Sequence, residues 1–399
     1  MRKAGQVLCL AIAFGCPSSI SSADEIGWER QKLDDRFRSE GVAAADVNRD
    51  GRLDVLAGDV WYAAPDWTIH EIRPPGEFVA GKGYSTSFAN FASDVNGDGW
   101  DDFILVGFPG AEFYWYENPQ NETGHWKEHL IWHSACNESP DFEDVDGDGK
   151  PELILGSQPE QQLGLLSLPA ADDAAAKWSF TSVSSRGEPG QNGSHRFYHG
   201  LGIGDFDKDG RNDVVIPHGW YKRPSDESPE SWEFQPWTLS KDGTGNSLAA
   251  ANLYLDDLDL DGDQDIMMSS AHTFGVWWFE NVTKADKPSF KYHLIDESYS
   301  QTHALEFVDI NADGTKDLVT GKRFFAHNGN DPGGNDPVVM YWYELIKREG
   351  SAPRFIPHEI EAGRDTGVGT QFQVVDMNGD DKPDIVLSNK KGVNVLLQR

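Results

Sequence analysis

Apolar residues fall along this 399-residue chain in short runs, separated by polar turns rich in Gly, Asp and Asn. No useful stretch keeps the ~3.6-residue period of an amphipathic helix, so the pattern predicts strands. The runs recur in a fixed order. A small or apolar run comes first, such as Val42-Ala43-Ala44-Ala45 or Leu305-Glu306-Phe307-Val308. A β-branched run follows, such as Val214-Val215-Ile216 or Ile385-Val386-Leu387. An aromatic run is third: Trp61-Tyr62, Tyr114-Trp115-Tyr116, Trp220-Tyr221, Trp277-Trp278-Phe279 and Tyr341-Trp342-Tyr343. The fourth run often carries His between an aromatic and an aliphatic residue, as at His70, His129, His293 and His358. Four short strands in each of seven repeats predict an all-β, seven-bladed propeller. The last repeat lacks its fourth run, and Trp28–Leu33 near the N-terminus resembles it. That strand is expected to complete the last blade and close the ring, removing exposed sheet edges.

A nine-residue pattern, D-x-[DN]-x-D-[GD]-x-x-[DE], joins the first and second runs of every repeat, at spacings of 48 to 67 residues. Its positions 1, 3, 5 and 9 are Asp46, Asn48, Asp50, Asp54; Asp94, Asn96, Asp98, Asp102; and Asp144, Asp146, Asp148, Glu152. The next are Asp205, Asp207, Asp209, Asp213; and Asp257, Asp259, Asp261, Asp265. The last are Asp309, Asn311, Asp313, Asp317; and Asp376, Asn378, Asp380, Asp384. Hard oxygen donors gathered in one tight loop are what Ca²⁺ requires. Position 6 is Gly, which accepts the positive φ of a sharp turn. The seventh loop has Asp381 there instead. Up to seven Ca²⁺ are expected, and loops without a cation would repel themselves.

Charge supports that reading. The formal net charge is −32, and the seven loops hold 27 of the 66 acids. Seven Ca²⁺ would leave −18, still acidic, which argues against nucleic acid and anionic membranes as partners. Arg2 and Lys3, an apolar stretch from Val7 to Phe14 and the small residues before residue 24 read as a secretory signal over 1–23. Gly15-Cys16 offers only a poor lipoprotein site. Residues 24–399 then form one propeller, secreted, periplasmic or at the cell surface, with no transmembrane segment and as a monomer. Cleavage would leave Cys136 as the sole cysteine, so calcium takes the place of disulfides as the staple.

The loops and the strand order resemble the FG-GAP/VCBS repeat family, the calcium-loop seven-bladed propellers that include the integrin α-subunit head. The resemblance covers residues 28–399 and implies that positions 1, 3, 5 and 9 of each loop are the side-chain ligands. More weakly, the chain resembles the propeller domain of aldos-2-ulose dehydratase, which works on oxidised sugars. That enzyme type carries cupin domains for which this chain has no room.

Function is expected on the opposite face, where loops join strands two and three and link successive blades. His133, His195, His199, His218, His272, His303 and His327 fall in or beside these loops. His199 and His303 each stand six residues before a calcium loop, so both should point near the axis. They suit acid–base work or a second metal, or else they are packing residues. With them, His195, Arg196, Tyr198, His218, Trp220, His272, Lys322, Arg323 and His327 make the expected ligand surface. Trp220 and Phe325 could stack on a sugar ring. The partner is then a glycan, sugar or protein, with a sugar lyase, dehydratase or isomerase as the alternative. His70, His129, His293 and His358 are expected to be structural.

Overall fold

A computed structural model describes residues 26–170, 177–187, 189–225, 232–241, 249–284, 287–360 and 365–399. The predicted leader over 1–23 lies outside them. Seven four-stranded antiparallel sheets are arranged as blades around one axis. Blade 6 is typical, with strands Leu305–Val308, Asp317–Gly321, Met340–Arg348 and Ser351–Glu359. Helical structure among the described residues is confined to Pro189–Asn192 and Ala326–Gly329. No helix there is long and apolar enough to cross a membrane.

Ring closure follows the sequence reading. Blade 7 consists of Phe372–Val375, Asp384–Asn389, Gly392–Gln398 and, as its outer strand, Trp28–Asp34. The closing pair is antiparallel, running from Trp28 opposite Gln398 to Asp34 opposite Val393.

Each apolar cluster lies between two blades rather than at one centre. Between blades 1 and 2, Ala43, Leu56 and Trp61 meet Phe103, Leu105 and Tyr116. Between blades 6 and 7, Val319, Met340 and Trp342 meet Phe372, Ile385 and Leu396. The second strands are therefore buried on both faces, as in Asp102–Val106, while the outer strand Thr68–Glu71 is exposed throughout. This explains their unbroken β-branched character.

The acidic loops have the expected geometry. Gly51, Gly99, Gly149, Gly210, Gly262 and Gly314 have φ between 87° and 99°, and Asp381 takes the same left-handed region at 65°. In the fourth loop Asp205 accepts the amides of Asp209 at 2.9 Å and Gly210 at 2.8 Å, which fixes its carboxylate facing inward. Oxygens from positions 1, 3 and 9 lie within 4.8 Å of one another in the third, fourth and fifth loops. That spread matches two oxygens across a Ca²⁺ at ~2.3–2.6 Å each, so the donor set fits the ion. Lys222 bonds Asp207 and Asp209 of the fourth loop, placing an ammonium beside that set.

Candidate functional site

Counting back six residues from each acidic loop reaches the top of every inner strand, around the axis. Those positions hold Glu40, Phe88, Glu138, His199, Ala251, His303 and Thr370. Four of the seven carry ionisable side chains, and the fold turns them toward one another. Two more histidines arrive from loops joining second and third strands: His272 in blade 5 and His327 in blade 6.

The four imidazoles form one cluster. Ring centroids of His199 and His303 lie 5.9 Å apart, and those of His272 and His327 lie 4.3 Å apart and stacked. The other pairs range from 4.7 Å to 6.4 Å. Ligand atoms of Glu138, His199, His303 and His327 all fall within 4.8 Å of one another.

Local backbone sets the tautomers. His199 donates its Nδ1–H to the carbonyl of Phe197 at 2.8 Å, and His303 its Nδ1–H to that of Gln301 at 3.2 Å. Phe197 and Gln301 have φ of 66° and 62°. Equivalent residues in the other five blades have no positive φ. The left-handed turn therefore occurs only where a histidine follows two residues later, and it curls a carbonyl back onto the ring. His327 reaches the same state through Asp331, whose Oδ2 accepts from Nδ1 at 2.5 Å and also bonds His272 at 3.1 Å. His327 itself has φ 47° and Asn328 has φ 56°. Strained backbone of this kind marks positions that the surrounding fold over-determines.

With all three Nδ1 atoms occupied, three Nε2 lone pairs face the axis. Those of His199 and His303 are buried and have no hydrogen-bond partner. Burial pushes the pKa of His199, His303 and His327 down, and the Arg323 charge pushes His303 further, well below the ordinary range. All three are then neutral near pH 7. Glu138 lies 3.6 Å from His199 Nε2.

A buried charge network supports the carboxylate. Arg323 bonds Glu40 at 3.0 Å and reaches Glu138 at 3.5 Å. Lys390 bonds the other oxygen of Glu40 at 2.5 Å. Burial alone would raise the Glu40 pKa, but Arg323 and Lys390 bring it below the usual carboxylate range. Burial pushes Lys390 down to about 8 against the pull of Glu40.

Several expected ligand residues take other roles. Trp220 does not face the site: it is buried against Phe206 and Trp237 in the core between blades 4 and 5. Its strand is covered on both sides, so its ring turns to the neighbouring blade and away from the ligand face. Lys322 is fully buried, its ammonium bonded to Ser300, Gln301 and the carbonyl of Gly333, so it clamps a loop and is not offered to a ligand. Arg323 is equally buried and acts through Glu40 and Glu138. Tyr198 is buried, with its hydroxyl and His218 Nδ1 2.7 Å apart. His195, Arg196 and Phe197 are exposed beside the cluster. Glu40, Glu138, Asp331 and Lys390 were not among the expected residues.

The four fourth-strand histidines are structural. His129, His293 and His358 stack on Trp115, Trp278 and Trp342 at 4.1 Å to 4.2 Å and bond Glu117, Glu280 and Glu344. His70 stacks on Trp61 at 4.4 Å.

The donor set at the axis, three neutral imidazoles and a carboxylate, fits a divalent first-row transition ion, for which imidazole is a preferred ligand. The three Nδ1 bonds are the outer support that such ligands require.

A family model for the FG-GAP-like repeat matches residues 94–155 and 257–320. No curated protein matches the chain. Among solved structures, it is similar to an Agrocybe aegerita lectin that recognises non-reducing terminal N-acetylglucosamine, at 14% identity and TM-score 0.45, covering 85% of this chain and 81% of the lectin. It is also similar to the extracellular domain of a putative hybrid two-component system from B. thetaiotaomicron, at 10% identity and TM-score 0.48. That match covers 93% of this chain but 41% of the other. A third is the PQQ-bound aldose sugar dehydrogenase of Streptomyces coelicolor, at 12% identity and TM-score 0.39, covering 78% of this chain and 97% of that one. The chain is thus a seven-bladed β-propeller, two stretches of which match the FG-GAP-like repeat.

Proposed function

We propose that this chain is a secreted, calcium-binding propeller that binds a sugar on the face opposite its calcium loops, at a divalent transition ion held by Glu138, His199, His303 and His327. The observation that carries the reading is the convergence of those four side chains, with the His199 and His303 Nε2 atoms buried and unpartnered. A buried acceptor without a partner costs ~1–3 kcal/mol, and a cation removes that cost. Sugar hydroxyls are oxygen donors that complete such an ion's coordination. The exposed ring of Phe197 and its neighbour Phe108, 5.5 Å apart, offer apolar faces to a sugar.

A metal-replete and a chelated sample should be titrated with neutral monosaccharides and with keto-sugars, with Ca²⁺ present throughout. Binding is expected only in the metal-replete sample, and His199→Ala or His303→Ala should abolish it. Sugar binding that is equal in the chelated sample would sink the metal-centred reading. A second reading, a sugar lyase or dehydratase, is favoured by imidazoles held neutral beside a carboxylate, which suits proton transfer near pH 7. Appearance of an enone chromophore from a keto-sugar would select it.

A further inference from the structure

We propose that Arg196 makes this a site for carboxylated sugars, the uronates, with the guanidinium taking the sugar's carboxylate. The proposal rests on the sugar reading above and adds the charge of the ligand.

Arg196 is exposed, yet it is held in place from four sides. Its guanidinium carbon lies 4.8 Å from the ring centre of Phe197 and 5.4 Å from that of Phe108. Its Nε donates to the carbonyl of Pro109 at 2.7 Å. Gly110, at φ 84°, leaves the slot in which the side chain lies; a Cβ there would come to 3.0 Å from Nε. Surface arginines ordinarily give up rotamer freedom when they bind, and here that ordering is already in place.

The restraint uses one donor and leaves the others free. Nε is taken, while no ion pair of the two terminal amino groups with a carboxylate occurs among the described residues. In a chain of net charge −32, Arg196 is an immobilised cation without an acidic partner among the described residues. The planar fork that remains matches a carboxylate, which it can bind through two parallel hydrogen bonds.

Position ties the fork to the axial cluster. Phe197, which carries the guanidinium on its ring, is the residue whose carbonyl fixes the His199 tautomer. Arg196 and His199 are three residues apart, so their Cα atoms are separated by ~11 Å at most. The segment between them turns at Phe197, whose φ is 66°. One monosaccharide could then give ring oxygens to the axial donor set and its exocyclic carboxylate to Arg196.

Calorimetric titration of the metal-replete chain with glucuronate, its methyl ester and glucose tests this. Glucuronate should bind at least ten-fold tighter than either neutral sugar. Arg196→Gln should collapse that ratio towards one, while Arg196→Lys should restore only part of it, because a point charge lacks the fork. A preference for a sulfated sugar over glucuronate would overturn the carboxylate assignment. So would a glucuronate preference that survives Arg196→Gln, since the ion alone would then be reading the charge. Equal binding of the three sugars overturns the carboxylate assignment and leaves the sugar reading standing. Binding of none overturns both.

Discussion

At the scale of single residues, the ninth position of each acidic loop is the most constrained. Asp102 is fully buried, and its two oxygens accept the amides of Val95 at 3.0 Å and Asn118 at 2.8 Å. Asp102→Ala should therefore cost about 2–6 kcal/mol, the sum for two orphaned buried donors, read as a drop in denaturation midpoint. An unchanged midpoint would mean that water replaces the carboxylate. A second residue-scale case lies lower on the axis, where Asp141, Glu143 and Glu306 line a cavity of about 330 Å³. Burial, with Asp141 and Glu143 nearby, raises the Glu306 pKa well above the ordinary range. Burial raises Asp141 to about 6, and the Asp141 charge with burial raises Glu143 to about 8. Raised carboxylate pKa values mean the folded chain holds protons that the unfolded chain releases. Their stabilisation is complete below ~4 and is lost as pH rises through the folded values. Glu306→Gln should then raise Tm at pH 8 by about 2 °C and change it little at pH 4.5. A larger gain at pH 4.5 than at pH 8 would reverse the assignment. Legibility differs from residue to residue here. The six-residue spacing that singles out His199 and His303 applies equally to Glu40 and Glu138. Acids are so frequent in this chain that spacing distinguishes only the imidazoles. His327 and Asp331 were legible as loop residues but not as partners, because left-handed backbone at Phe325, His327 and Asn328 aims them. Trp220 misled because a strand buried on both faces gives no alternation from which to read its direction.

At the scale of elements, the strand order was legible throughout, since seven loops mark the same point in each repeat. What spacing does not show is how one blade grips the next. Asn118 of blade 2 donates its side-chain amide to the carbonyl of Val47, in the acidic loop of blade 1, at 2.9 Å. Arg223 of blade 4 does the same to Val145 of blade 3 at 2.9 Å, and Gln398 of blade 7 to Ile310 of blade 6 at 2.9 Å. The backbone amide of each latch residue binds the ninth-position carboxylate of its own blade: Asp102, Asp213 and Asp384. A latch residue thus links two acidic loops across an interface. Replacing the Arg223 side chain leaves its backbone bond to Asp213 intact and the third loop's carbonyls free. Arg223→Met should weaken calcium binding at the third loop and cost about 1.5–3 kcal/mol of stability, as for a charged hydrogen bond, read as a lowered midpoint. Calcium titration of the variant, followed by its melt, checks both. Unchanged binding with a lowered midpoint would show that the latch serves packing alone.

At the scale of the whole molecule, the apolar clusters lie between successive blades, so stability depends on the ring being closed. Each calcium site at 100-fold excess over Kd would add ~2.7 kcal/mol by linkage, and melts with Ca²⁺ and with chelator should differ accordingly. Equal midpoints would exclude calcium as a folding ligand. Closure makes the stronger demand. Trp28–Asp34 pairs with Gly392–Gln398 along its length, and Trp28 also packs beside the cluster between blades 6 and 7, with Leu33 beside that between blades 7 and 1. Ion pairs of Arg399 with Glu29 and of Arg30 with Asp365 add to the seam. Those pairs are exposed, so they contribute little, and the backbone ladder with its apolar side chains holds the ring. Deleting the strand Trp28–Asp34 would leave Gly392–Gln398 as a bare edge beside the cluster that holds Val393, Val395 and Leu397. An unpaired apolar strand of that kind is a template for another chain. The truncated protein should elute as multimers or aggregate, and added Ca²⁺ should not restore it, since no ligand lies in the deleted strand. Adding the strand back as a separate peptide should recover a monomeric ring. A truncated chain that stays monomeric with an unchanged melt would show that three strands suffice for blade 7.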